Sequence, residues 1–161
     1  MERQLDPRGA GDHLDRLFRA AWALCGSRED AEDLVQDTYA RVLARPRLLR
    51  NEDDLGYLLR ALRNTYVSTR RARARRPQTT PLPDDREPAA VRSDADPVAA
   101  FAARQVYEAV ADLPEDFRDV IVAVDVVGLS YKEAAKALKL PEGTVMSRLY
   151  RGRNQVAGKV G

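Results

Sequence analysis

Residues 77–97, PQTTPLPDDREPAAVRSDADP, limit what the rest of the chain can build. The stretch carries five prolines, five acids and two arginines, and it has no aromatic residue. Leu82, Val91 and a few alanines are its whole apolar content, too little to offset the entropy of ordering the backbone. The expectation is a flexible acidic linker between a block at residues 12–76 and a block at residues 98–158. Blocks of about 60 residues hold together only if their helices share a well-filled core.

Both blocks read as helical. In the first, DHLDRLFRAAWALCG puts Leu14, Leu17, Phe18, Ala21 and Leu24 at helical spacing and stops at Gly26. Next, SREDAEDLVQDTYARVLARP opens on Ser27 with Asp30 three residues on, in the manner of a capping box, and ends at Pro46. Its apolar line is Ala31, Leu34, Val35, Thr38 and Val42, which leaves Glu32, Asp33, Gln36, Asp37 and Arg41 outside. A further helix, LGYLLRALRNTYVSTRRARARR, turns Leu55, Leu58, Leu59, Leu62 and Tyr66 inward, with Gly56 a mild flaw. Past Tyr66 it keeps adding charge without apolar anchors, as a basic end projecting beyond the core would.

The second block begins with VAAFAARQVYEAVADL, where Val98, Phe101, Val106, Val110 and Leu113 are the expected packing residues. PEDFRDVIVAVDVVG follows, with Pro114 in the first turn and Gly128 as the stop. Its VIVAVDVV run would pass for a strand in isolation, but the flanking proline, acids and glycine favour a buried helix. SYKEAAKALKL then opens on the capping pair Ser130 and Glu133, and a PEG turn leads into a last helix. On that helix Val145, Leu149, Gly152 and Val156 share one stripe, while Ser147, Tyr150, Arg151 and Asn154 face the other way. The fold class is therefore all-α: two small helical domains on a flexible linker, the second containing a helix-turn-helix.

A net charge of +2 conceals segregation, because residues 60–76 hold seven arginines and no acid just before the acidic linker. One cysteine and one histidine supply neither a disulfide framework nor a zinc-ligand set nor a Cys/His nucleophilic pair, so no cofactor or metal is expected. Cys25, beside Leu24 at a helix end, is read as a small buried hydrophobe. No apolar run approaches a membrane span, and MERQLDPRGAG has no hydrophobic targeting core, which points to the cytoplasm.

A capped short helix, a tight turn and a second helix with a polar outer face are the parts of a duplex-reading unit, in which the second helix enters the major groove. Glu142, Thr144, Ser147 and Arg148 form its reading end, and Arg151 and Arg153 are placed for phosphates. The basic extension brings Arg63, Arg70, Arg71, Arg73, Arg75 and Arg76 together with Asn64, Tyr57 and Tyr66. Guanidiniums beside aromatic rings suit an unpaired strand. Two cationic elements on one tether imply two contacts with the same nucleic acid. Dispersed acids and arginines without a phosphate loop, metal spacing or paired nucleophile and base give an enzyme little footing.

SREDAEDLVQDTYARVL, YLLRALRNTYVSTRRARAR and LPEDFRDVIVAVDVVGLSYKEAAKALKLPEGTVMSRLYRGR together resemble conserved regions two and four of the extracytoplasmic-function group of bacterial sigma-70 factors. The resemblance runs from His13 to Val156 in the family's order. It implies a non-catalytic initiation subunit whose Asp33, Gln36, Asp37 and Arg41 meet the clamp helices of core RNA polymerase. It places the minus-ten element against Arg47, Arg50, Asn51, Arg60, Arg63, Asn64, Arg70, Arg71 and Arg73, with the loop at residues 46–54 where the family captures a flipped base. The minus-thirty-five duplex falls to Ser130, Tyr131, Lys132, Glu142, Thr144, Ser147, Arg148, Arg151 and Arg153. Promoter DNA, duplex and melted, core polymerase and an anti-sigma protein are the implied partners, in a cytoplasmic, nucleoid-associated setting or near a membrane-held partner. NTYVSTRR departs from the family in lacking an acid soon after Asn64. The alternative is a helix-turn-helix regulator whose N-terminal helices dimerise, which leaves the basic helix and the linker without a task.

Overall fold

The computed structural model describes residues 3–5, 7–45, 48–49, 54–75 and 97–160. The expected linker and most of the 46–54 loop lie outside these residues. The described chain is all-α apart from one short pairing. In the first block, α1 spans Pro7–Asp12, α2 Leu14–Cys25, α3 Arg28–Ala44 and α4 Asp54–Arg75. In the second, α5 spans Pro97–Ala111, α6 Glu115–Ile121, α7 Tyr131–Leu138 and α8 Glu142–Val160. Two-residue strands β1 (Arg3–Gln4) and β2 (Leu48–Leu49) pair antiparallel and tie the N-terminal segment to the approach to α4. Helical structure thus begins at Pro7, before the expected first block, and α5 includes Pro97, which the composition had assigned to the linker.

The local signals act as their chemistry requires. Ser27 accepts a hydrogen bond from the Asp30 amide at 3.4 Å, and Ser130 and Glu133 satisfy each other's backbone N–H groups at 3.1 and 3.0 Å. Gly26 and Gly128 close their helices at positive φ, 72° and 90°. Lys139 caps α7 in the same left-handed region at φ 57°, the tight point from which the chain turns into α8. Pro114 sits just before α6, at its N-cap, one position earlier than expected.

The strand-like VIVAVDVV run is helical, and its middle is a π-turn over Val122–Val126, with the Val127 amide donating to the Val122 carbonyl at 2.9 Å. Consecutive β-branched residues crowd an α-helix, and the wider turn lets Val122 and Ala123 both reach the core.

The predicted inward stripes of α3, α4 and α8 are buried, including Thr38, whose hydroxyl donates to the Leu34 carbonyl at 2.7 Å. Val156 at the far end of the α8 stripe is only half-buried. α5 is different: Val110 and Leu113 pack inside, but Val98 is 73% and Phe101 61% exposed, and Val106 is also exposed. Those three were expected in the core. Only the C-terminal half of α5 has helices against it, so an apolar pattern along the whole helix overstates its burial.

The two blocks pack against each other. α5 and the π-turn lie on α2, and α7 lies on α4, so buried residues of both blocks form one continuous apolar cluster. The Trp22 and Tyr107 rings meet across the junction with centroids 5.0 Å apart. A Cβ built on Gly26 would come 3.1 Å from the Ala111 Cβ, so the residue that ends α2 also admits the end of α5.

Cys25 lies in this region with its thiol pushed up to about 12, first by burial and then by Asp30, against the partial opposition of Arg73, Arg118 and Arg70. An unfolded thiol titrates near 9.0, so the unfolded chain sheds this proton first and the group's stabilising contribution is lost as pH rises from about 9 towards 12. At pH 8 iodoacetamide should alkylate Cys25 roughly a hundred- to a thousandfold more slowly in the native chain than in denaturant, because thiolate is the reacting form; mass spectrometry over time provides the check.

Gly152 of α8 lies against α6, and a Cβ there would stand 3.0 Å from Ile121 Cγ1 and 3.4 Å from Phe117 Cβ. Gly152→Leu should therefore cost about 1–3 kcal/mol by overpacking despite leucine's better helix propensity. The expected outcome is a lower denaturant midpoint with an unchanged m-value.

Candidate nucleic-acid interface

α3 presents a charged outer face because Ala31, Leu34, Val35, Thr38 and Val42 occupy the inner one. Asp33, Gln36 and Arg41 are exposed and Asp37 is half-buried, pairing with Arg41 one turn on at 3.4 Å. Exposed pairs of this kind contribute little stability, so the face remains free to exchange partners. Asp30, Asp33 and Asp37 also line a cavity of about 760 Å³ between the blocks, with Arg70 and Arg73 of α4 and Glu108 and Asp112 at the end of α5.

α4 carries the cationic residues. Asn64, Arg70, Arg71 and Arg73 are exposed and Arg60 is half-buried, whereas Arg47, Arg50 and Asn51 lie outside the described residues. Arg70 donates to the Tyr66 hydroxyl at 3.0 Å and sits 5.5 Å from the ring centroid. Tyr57 and Tyr66, expected from their arginine neighbours to stack unpaired bases, are both buried. Their helical register places the rings in the core, which corrects that reading of the aromatics.

Arg63 is committed to the second block. Its Nε donates to Asp119 Oδ2 at 2.6 Å and an Nη donates to Glu115 Oε1 at 3.0 Å. Burial alone would lower the affinity of this guanidinium for its proton, but the hydrogen bond and charge of Asp119, and then those of Glu115, outweigh it and raise the pKa. Next to it, Arg118 of α6 lies 4.9 Å from the centroid of the Tyr66 ring. Sequence reasoning placed Arg118 in no site. A lone arginine just before a run of valines and isoleucine was the available sign that a charge must be buried there.

α8 shows the division of faces that a reading helix needs. Val145, Leu149 and Gly152 are buried; Glu142, Ser147, Arg151 and Asn154 are exposed, and Tyr150 is 70% exposed. Met146 beside them is also exposed and was assigned no part. Thr144 is half-buried, and its carbonyl accepts from the Ser147 hydroxyl at 3.2 Å. Arg148 lies at the flank, half-buried, with Asp116 of α6 3.6 Å away. Arg153 is held by both oxygens of Asp125 at 2.7 and 3.0 Å, and this hydrogen-bonded pair raises its pKa. The pair is well exposed, so water and salt limit its strength. On α7, Ser130, Tyr131 and Lys132 are exposed, while Ala134, Ala135 and Ala137 form the packed face.

The three expected groups therefore stand on separate helices: α3 for one, α4 for another, and α7 with α8 for the third. Among the described residues no cluster of His, Cys, Asp and Glu could hold a metal, and no helix is long and apolar enough to cross a membrane.

Comparison with known proteins gives a consistent set of likenesses. Residues 10–76 match the family described as Sigma-70 region 2, and residues 103–156 match Sigma-70, region 4. The chain is 36% identical over 149 residues to the ECF RNA polymerase sigma factor SigE of Mycolicibacterium smegmatis, covering 89% of this chain and 57% of that protein. This chain thus spans little more than half the length of that relative. It is 30% identical over 144 residues to the ECF RNA polymerase sigma-E factor of Haemophilus influenzae, covering 83% of this chain and 76% of the relative. Among solved structures, the sigma factor RpoE in complex with the anti-sigma factor NepR from Bartonella quintana superposes with a TM-score of 0.70 at 25% identity, covering 95% and 94% of the two chains. CnrH in complex with the cytosolic domain of CnrY gives 0.64 at 24% identity, covering 95% and 88%, a likeness of fold.

Proposed function

The chain belongs to the extracytoplasmic-function group of sigma-70 factors, and we propose that it acts as a non-catalytic initiation subunit that directs core RNA polymerase to specific promoters and assists their melting. The observation that carries this reading is α8, whose apolar stripe is buried against α6 while its opposite face offers hydroxyl, aromatic and guanidinium groups after a capped helix and a tight turn. The first block, 12–76, supplies polymerase docking and minus-ten contact, and the second, 98–158, supplies minus-thirty-five contact.

In this assignment Asp33, Gln36, Asp37 and Arg41 meet the clamp helices, where an acidic face against a basic partner steers the encounter. Arg60, Arg63, Asn64, Arg70, Arg71 and Arg73 follow the minus-ten strand, with Arg47, Arg50 and Asn51 in the preceding loop. Ser130, Tyr131 and Lys132 contact the duplex backbone beside α8. Glu142, Thr144, Ser147 and Arg148 read bases, and Arg151 and Arg153 hold phosphates. An anti-sigma protein is a further partner, supported by the structural neighbour RpoE, which was solved in complex with the anti-sigma factor NepR. Such a partner would set whether the chain sits on the nucleoid or is kept near a membrane. The likeness of residues 10–76 to region two favours this reading over a dimerising regulator.

Reversing Asp33 and Asp37 to lysine should weaken binding to core polymerase at least tenfold, about 1.4 kcal/mol, while far-UV dichroism stays unchanged because neither side chain belongs to the buried stripe of α3. Unchanged affinity with a folded variant would remove α3 from the docking surface.

Arg148→Ala should cost about 1–3 kcal/mol in binding a minus-thirty-five duplex if the guanidinium makes a bidentate base contact. Replacing Arg70, Arg71 and Arg73 together should spare that duplex and slow open-complex formation on a linear promoter. Footprints on linear and premelted templates separate the two; a triple variant that opens the promoter at the wild-type rate defeats the assignment of α4.

A further inference from the structure

We propose that Asp125 is a positioning residue for duplex binding: it holds the side edge of the Arg153 guanidinium so that the end edge is presented to a phosphate. The inference rests on the duplex-reading role assigned to α8 and adds to it an acid whose removal weakens binding to a polyanion.

The atoms define which edge is taken. Arg153 Nε donates to Asp125 Oδ2 at 3.0 Å and Nη2 donates to Asp125 Oδ1 at 2.7 Å, the two-bond fit of a carboxylate along one side of the fork. A guanidinium carries its N–H donors in one plane, so the end formed by the two Nη atoms keeps a pair of donors that Asp125 does not use. Tyr131, at the start of α7, adds a hydrogen bond to the same group, and the Arg153 side chain is still half exposed. A phosphate on the end edge can be held by two parallel bonds, as the carboxylate is on the side edge. The guanidinium then stands between the two anions, and water and salt reduce what repulsion remains.

Both ends of the pair stand on backbone that packing holds. Arg153 directly follows Gly152, which is buried against Ile121 of α6. Asp125 lies one turn past Ile121, in the π-turn whose Val122 and Ala123 are buried. Arg153 is therefore fixed at root and tip before any duplex arrives, and the rotamer freedom that an unpaired arginine gives up on binding has already been lost.

Arg148 shows what an acid does without this geometry. On the opposite flank of the buried stripe, its Nη1 is 3.6 Å from Asp116 Oδ1, too long for a hydrogen bond, and Asp116 is 72% exposed. Asp116 screens its arginine without orienting it. Two acids beside one helix thus act with opposite sign: Asp116 as ordinary charge that repels phosphates, Asp125 as a support that the bound state needs.

The test uses the full chain and a labelled mixed-sequence duplex, titrated across a range of salt. Asp125→Asn should weaken binding about two- to tenfold, the cost of immobilising one free side chain, whereas Asp116→Asn should leave it unchanged or tighten it. Arg153→Gln should also weaken binding and flatten the salt dependence by about 0.9 unit. In the Arg153→Gln background Asp125→Asn should tighten binding, because only the acid's charge is left to act. Arg153→Lys keeps the charge and leaves Asp125 in place, and it should bind no better than Asp125→Asn, since an ammonium has no second edge. Thermal unfolding followed by circular dichroism should show every variant folded, because an exposed pair contributes little stability. Tighter binding by Asp125→Asn alone would show ordinary charge, and equal weakening with and without Arg153 would show that Asp125 supports α8 rather than Arg153; either overturns the positioning role. If Arg151→Gln weakens duplex binding and Arg153→Gln does not, α8 still reads the duplex and the positioning role fails by itself. If neither weakens it, the role of α8 fails as well.

Discussion

The arrangement of the two blocks turns on Arg118. A guanidinium this deeply buried must be met by groups that offset its desolvation, and here they come from both sides of the junction: the Tyr66 ring from α4 and the carboxylate of Asp119 from its own helix. Asp119 in turn is shared with Arg63, so four side chains from two helices form one charge-alternating cluster. Removing Asp119 or Tyr66 leaves the buried Arg118 with too few partners, which makes the cluster specific about how the blocks meet. It does not make the contact strong, because ion pairs taken out of water return little beyond their desolvation cost.

Apolar packing surrounds that cluster on one side only. Trp22 against Tyr107 and Gly26 against Ala111 close the end formed by α2 and α5, with α7 resting on α4 through a face of alanines. Gly26, Ala111 and the alanines of α7 permit close approach but each buries little area, so there the junction gives fit more than free energy, and the Trp22–Tyr107 contact supplies the larger apolar burial. The N-terminal half of α5 stays outside it, with Phe101 and Val98 in solvent. Most of the core's largest fully buried side chains, such as Leu17, Leu58, Leu62, Val120, Val145 and Leu149, lie within one block or the other.

The helices and their ends were legible in the sequence because those signals are local. Ser27, Ser130 and Glu133 act on amides three residues away, and the stripes on α3, α4 and α8 repeat within a turn, so no knowledge of tertiary structure is needed to read them. The outward face of α8 was legible for the same reason. The partners of Arg63 and Arg153 were not: Asp119 lies 56 residues from Arg63, and Asp125 lies 28 from Arg153, and charge pattern does not encode such pairings. Tyr57 and Tyr66 show the reverse error, since composition near arginines suggested base stacking while their register fixed them in the core. Val98, Phe101 and Val106 show that periodicity identifies an apolar face without saying how much of it is covered.

The positions of the three surfaces have a consequence for how they act together. The acidic face of α3 and the basic end of α4 line the same cavity, together with the ends of α2 and α5. A clamp helix seated against Asp33 and Asp37 would enter the space that α5 fronts, and a strand on Arg63 would displace α6. Two such ligands would each favour separation of the blocks by its own differential contact. Since binding free energies are linked, each such ligand would then raise the other's affinity by the same factor. The outward face of α8 lies outside this exchange, since Ser147, Tyr150, Arg151 and Asn154 are already exposed with the blocks together.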